Sequence, residues 1–194
     1  MDTRVRAMIG YHLAYESNLV GMVMTQGRQR EVVNIGLGIK QIYHPPDTPI
    51  QVFAESLHHK LTPLEIGFVS PPEPDDTILR RICLLLALKQ AYIKAIGQSM
   101  GFDWSRLEFD PTNQIAKGDG QILSGWEFRI WQSHIAVLNN DESITEHYYQ
   151  CASAFFRGIE GVKFIWQKDR KELDSWVQFL TIEQLMTVLP KLTD

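Results

Sequence analysis

The sequence predicts an α+β fold in which an antiparallel sheet packs against one long helix. Three observations carry that expectation. An apolar run with helical spacing extends from Asp75 to about Ser99, runs rich in β-branched and aromatic residues lie on both sides of it, and two proline-rich breaks separate the pieces.

Taken in order, Leu19 to Met24 and Val32 to Ile39 read as two strands joined by the polar turn Gln26-Gly27-Arg28-Gln29-Arg30. His44-Pro45-Pro46-Asp47-Thr48-Pro49 and Ser70-Pro71-Pro72-Glu73-Pro74 disfavour helix and remove backbone donors, so each reads as an extended loop. Between them lies a helical piece, residues 50–68. Asp75 or Asp76 can cap the long helix, whose apolar positions Leu79, Ile82, Cys83, Leu86, Ile93 and Ile96 recur mostly at three or four residues. Arg106 to Phe109, Trp126 to Trp131 and Tyr148 to Phe156 read as strands, with Asn139-Asn140-Asp141 as a turn. Thr181 and Gln184 have capping-box spacing before Leu185, Met186 and Leu189, which predicts a closing helix.

Composition narrows the function classes. The 194 residues, 44% of them hydrophobic and spread evenly, suit one globular unit or two small lobes and exclude a disordered or collagenous chain. A net charge of -4 argues against general attraction to nucleic acid or to an anionic membrane. The longest apolar run, Ile82 to Leu88, is far short of the roughly 20 residues of a spanning helix. Residues 1–12 lack a sustained apolar stretch with a small-residue cleavage site, so export is not expected. Cys83 and Cys151 sit in apolar contexts and make no disulfide framework, so a reducing cytoplasmic setting is expected. His58-His59 and the His147 and Cys151 pair lack further partners at zinc spacing, and Gly36-Leu37-Gly38 has no third glycine opening a helix.

Residues 86–110 read LALKQAYIKAIGQSMGFDWSRLEFD. This resembles the long-helix signature of the 4'-phosphopantetheinyl transferases, which move the phosphopantetheine arm of coenzyme A onto a carrier-protein serine. The match lies at Lys89, Lys94, Gly97, Gly101, Phe102 and Arg106 to Asp110, with Leu86 at the family's tryptophan and Gln90 at its glutamate. Val33 to Ile39 is similar to the family's VGIDI strand, with Gly38 at the aspartate and Lys40 at a second acidic position. Tyr11 to Val23 resembles the preceding FNVSHQ strand, with Tyr15 at the histidine and Glu16 at the glutamine. Trp126-Glu127-Phe128 and Ile144 to Ala152 resemble its closing strands.

The resemblance implies a phosphopantetheinyl-transferase-like lobe with a site where a strand aspartate and a helix glutamate would hold magnesium and helix lysines would bind phosphate. On that mapping Lys89 and Lys94 are the candidate cofactor-binding residues. Gly38 has no ligand atom, Gln90 has a neutral amide, and a lysine ammonium such as that of Lys40 about 4 Å from a magnesium ion would oppose binding by roughly 2 to 8 kcal/mol. No metal ligand is therefore expected and no cofactor is required, although coenzyme A or another anion could still be held by Lys40, Lys89 and Lys94. Gly97 is expected to let a ligand or strand pass near the helix end. Tyr15, Lys40, Gln90 and Glu16 are the candidate catalytic residues.

One function follows as an expectation: metal-independent chemistry or binding on a small organic substrate, such as a cyclisation or isomerisation. The alternatives are a silent relative that binds an acyl carrier protein or coenzyme A, and an active transferase with an altered site. The matching strands arrive by residues 11 and 33, so the expected organisation is a single unit, residues 1–30 a remnant of a first lobe and 31–194 the second. A face left by the missing lobe would be covered by a second copy in a homo-oligomer or stay open as an apolar groove.

Overall fold

Residues 8–27, 34–98, 101–158 and 160–188 are described by a computed structural model of the chain. Strands β1 (Met8–Glu16) and β2 (Leu19–Gly27) form an antiparallel hairpin that turns at Ser17 and Asn18, Ser17 taking a positive φ of 51°. This corrects two expectations. Tyr11 to Val23 is no single strand, because Glu16-Ser17-Asn18 breaks it, and Leu19 to Met24 pairs backwards with β1. Of the turn expected between Leu19 to Met24 and Val32 to Ile39, residues 28–30 lie outside the described residues, as do residues 32 and 33 at the start of the second strand. Strand β3 (Ile35–Gln41) then enters the main sheet.

Helices α1 (Ile50–Ser56) and α2 (Pro63–Phe68) fill the helical piece between the proline breaks. Thr62 and Glu65 form a reciprocal capping box at the start of α2, with Pro63 at its first position. The long helix α3 (Asp75–Ala95) follows Pro74 without a side-chain cap. Asp75 and Asp76 therefore act from its first turn, where negative charge suits the helix dipole, and Asp76 pairs with Arg80 at 2.7 Å. Gln98 N–H bonds Ile93 C=O and Gly97 N–H bonds Lys94 C=O, a Schellman arrangement with Gly97 at φ 69°. Gly97 is thus a helix stop, and the space around a Cβ there is open. Of the expected helix end, Ser99 lies outside the described residues.

The remaining strands are β4 (Leu107–Asp110), β5 (Ile115–Gly118), β6 (Gln121–Ile122), β7 (Trp126–Leu138), β8 (Ile144–Phe156) and β9 (Lys163–Trp166), followed by α4 (Arg170–Asp174) and α5 (Ile182–Val188). The main sheet has the order β3-β8-β7-β9, antiparallel except for the parallel β7 and β9 pair. The long β7 and β8 hairpin turns at the expected Asn139 to Asp141. Strands β4, β5 and β6 make a small separate sheet. Helix α5 opens on the expected capping box, Thr181 N–H to Gln184 Oε1 at 2.8 Å and Gln184 N–H to Thr181 Oγ1 at 3.3 Å; Leu189 lies outside the described residues.

Two apolar layers result. On one face of the main sheet α3 buries Ile78, Ile82, Leu85 and Leu88 with Phe128, Ile130 and Ala152. On the other, Leu37, Ile39, Trp131, Tyr149 and Cys151 are covered by Ala14 of β1 and Leu173 of α4. The architecture is α+β, a sheet packed with a long helix. No described helix is long and apolar enough to cross a membrane.

Candidate functional site

The seam where β3 meets α3 is set by residues without side-chain bulk. A Cβ on Gly36 would overlap the backbone of Ala91 and Ala95, and a Cβ on Gly38 would overlap the Ala87 carbonyl oxygen. Small residues at 36, 38, 87, 91 and 95 let helix and strand touch backbone to backbone. Polar side chains close the contact: Gln90 Oε1 accepts the Ile39 N–H at 3.0 Å, and Asn34 Nδ2 donates to the Ala95 carbonyl at 3.2 Å. Gln90 is therefore a bracket between helix and strand. Among the described residues no three His, Cys, Asp or Glu side chains gather within reach of one ion.

Lys89 stands apart from this seam. Its side chain is fully buried, and Nζ lies 2.7 Å from Glu65 Oε2 while donating to the carbonyls of Lys60, Trp104 and Leu107 at 2.7 to 2.9 Å. Glu65 is equally buried and also accepts N–H bonds from Thr62 at 2.8 Å and Phe109 at 2.9 Å. Burial pushes the Glu65 carboxyl up and the Lys89 ammonium down, and each charge opposes the other's shift. All of the Lys89 donor capacity is spent inside the protein. The expectation that Lys89 binds a cofactor is corrected here: it ties α3 to α2, to the turn at 58–60 and to β4. The sequence reading missed Glu65, although the spacing of Thr62 and Glu65 was visible.

Lys94, Lys40, Glu16 and His12 line the part of the seam beside β1. Alternation turns His12, Ala14 and Glu16 of β1 inward and leaves Tyr11, Leu13 and Tyr15 in solvent. Tyr15 is 78% exposed, so a role in proton transfer at the seam is corrected by the pleat. Glu16 faces inward, with Oε2 3.2 Å from Lys40 Nζ. Burial lowers the Lys94 pKa, the Lys40 charge lowers it further, and Glu16 opposes both. His12 is lowered by burial and then by the Lys94 charge, and its Nδ1 is buried without a hydrogen-bond partner among the described residues. Two ammonium groups thus face one carboxylate, with the His12 imidazole beside Lys94 as a further polar group, an arrangement that suits an anion. His12 was missed because a lone histidine on a strand carries no motif. A groove of about 1230 Å³ lies elsewhere, between the hairpin tip and the carboxy-terminal segment, and none of the candidate residues lines it.

A second charged cluster sits on the sheet. Glu127, nearly buried on β7, accepts from Arg129 at 2.9 Å and Arg157 at 3.5 Å. Burial raises its carboxyl, but the two guanidinium groups outweigh that and hold it below the ordinary value of 4.5. A depressed folded-state pKa gives stability that is present above the unfolded value and lost as pH falls through the folded one. Glu127→Gln is expected to cost about 2 kcal/mol at neutral pH by weakening two charge-assisted bonds. Urea unfolding of both proteins should show that gap narrowing below about pH 4.5; a gap that stays constant with pH would contradict it.

No protein-family model matches the chain. It is 29% identical over 129 residues to a 4'-phosphopantetheinyl transferase pptA of Paxillus involutus, an alignment covering 64% of this chain and 49% of the relative. It is 31% identical over 123 residues to the mouse L-aminoadipate-semialdehyde dehydrogenase-phosphopantetheinyl transferase, covering 60% of this chain and 38% of that protein. The human protein of the same name matches at 29% over 123 residues. The chain thus spans about half, or less, of the length of the curated relatives it matches. Over about 60% of its length, and with an α+β architecture and long helix consistent with that likeness, the chain is similar to 4'-phosphopantetheinyl transferases.

Proposed function

We propose that this phosphopantetheinyl-transferase-like protein acts without a metal ion and binds a small anionic organic ligand of the coenzyme A type at the seam between β1, β3 and α3. The observation that carries the reading is the contact at Gly38. The position that resembles the family's aspartate has no room for a side chain, the neighbouring Gln90 oxygen is engaged by the Ile39 N–H, and Glu16 is paired with Lys40. Magnesium asks for carboxylate and water oxygens around an octahedron, and this donor set supports no such site. Phosphate asks for clustered N–H donors, which Lys94, Lys40 and His12 can supply. Binding is favoured over cyclisation or isomerisation because Tyr15 faces solvent and the Glu16 carboxylate is already engaged by Lys40, while the cationic donors Lys40 and Lys94 suit an anionic group.

Calorimetry with coenzyme A, 4'-phosphopantetheine and inorganic phosphate tests this directly. Binding of coenzyme A is expected to be the same in EDTA and in magnesium, and Lys94→Met is expected to weaken it about tenfold, the loss of one charge-assisted contact. Mass spectrometry of an apo acyl carrier protein incubated with coenzyme A, magnesium and the protein is expected to show no added arm. Magnesium-dependent arm transfer would overturn the reading. Heat with the carrier protein alone, and none with coenzyme A, would favour a carrier-binding role instead.

A further inference from the structure

The outward face of the β1 and β2 hairpin is apolar from the Tyr11 and Met24 pair to the Tyr15 and Val20 pair. Cross-strand neighbours Tyr11 and Met24, Leu13 and Met22, and Tyr15 and Val20 form three successive pairs, each side chain between 55% and 78% exposed. Ile9 extends the row and is opposed by Gln26, so no ionic side chain interrupts it. Chance does not place large apolar residues on the solvent side of two adjacent strands in perfect alternation. The inward side is already spent: Ala14 packs into the second core layer, and Gly21 lies against Leu37 and Ile39 so closely that a Cβ would press on both. The ribbon therefore cannot flip its register to hide the apolar row, since a one-residue slip would turn His12 and Glu16 outward and break the Glu16 and Lys40 pair.

Six side chains of this size at these exposures present on the order of 700 to 800 Å² of largely apolar surface. The largest patch of an ordinary monomer is about 300 to 600 Å². A standard interface buries about 800 Å² on each partner. We propose that this face packs against the same face of a second copy of the chain, making a closed twofold dimer. Two features select a like partner. The face has no charge with which to steer or discriminate an unlike protein. Two antiparallel strands related by a near twofold make a patch that is its own complement in an isologous contact, Tyr11, Leu13, Met22 and Met24 of one copy meeting the same residues of the other. A two-stranded ribbon is marginal in water when one face is bare, and the second copy covers that face.

Sedimentation velocity of the full chain over a hundredfold range of concentration tests the proposal. The expected result is a species of twice 22.3 kDa that does not grow further. Met22→Lys, which touches only the outward row, is expected to weaken the dimer at least a hundredfold while circular dichroism and the binding of coenzyme A stay unchanged. Leu13→Ser, a milder change, is expected to weaken it about tenfold. A single-copy mass at every concentration would overturn the proposal, as would assemblies that grow without limit, or a dimer that Met22→Lys leaves intact. A single-copy protein that gains a one-to-one complex with apo acyl carrier protein would likewise overturn it and assign the face to that partner. Failure of coenzyme A binding alone would leave the dimer standing and remove only the ligand reading.

Discussion

Lys89→Met is expected to lower the thermal midpoint by about 10 °C without touching any ligand contact. The substitution leaves Glu65 as an unpaired buried charge and strips the carbonyls of Lys60, Trp104 and Leu107 of their shared donor. Breaking one side of a buried pair costs about 3 to 5 kcal/mol. For a chain of this length each kcal/mol moves the midpoint by about 2 to 4 °C. Adding Glu65→Gln should recover part of the loss, because the orphaned charge goes with it, although the amide oxygen can accept from only one of the Thr62 and Phe109 N–H groups. Calorimetric scans of the two variants decide the matter. A Lys89→Met protein that melts like the wild type but loses coenzyme A would return Lys89 to the binding site.

Gly38→Asp carries the second large effect, a loss of about 4 kcal/mol or more. Its Cβ would overlap the Ala87 carbonyl oxygen, and its carboxylate would be forced against the α3 backbone with no donor to meet it. Gly38→Ala separates the two causes, since it keeps the overlap and omits the charge; about 2 kcal/mol is expected for it. Urea unfolding measures both, and magnesium should restore neither. If Gly38→Asp instead kept wild-type stability and gained a higher midpoint with magnesium, the helix would be free to part from the strand, and the metal-free reading would fall. The same geometry means that a triple change of Gly38→Asp, Lys40→Glu and Gln90→Glu must move α3 before it can build a site.

The elements that the sequence made legible are those governed by local rules. The period of α3, the proline breaks, the Asn139 to Asp141 turn and the Thr181 and Gln184 cap each depend on residues within a few positions, and each stands where the pattern put it. Strands β5, β6 and β9 escaped notice because they are short, four residues or fewer, and owe their shape to the partners beside them. The hairpin was misread for a related reason: Tyr11 to Val23 is apolar enough to run as one strand, and only pairing shows that Ser17 and Asn18 reverse it.

For the site, the residue types were visible and their directions were not. The sequence alone determined the residue types present, Gly38, Lys40, Gln90 and the two helix lysines among them, because chemical identity is local. Tertiary structure decided which of them face one another. Lys89 and Lys94 lie five residues apart on one helix, a step of 500° that places them about 140° apart around the axis. One is consequently swallowed by Glu65 and three carbonyls, while the other reaches the seam beside Lys40 and His12. Tyr15 and Glu16 are neighbours in the chain, yet the pleat sends the first to solvent and the second to Lys40. Which side of a strand or helix is buried depends on what packs against it, and that partner comes from far along the chain.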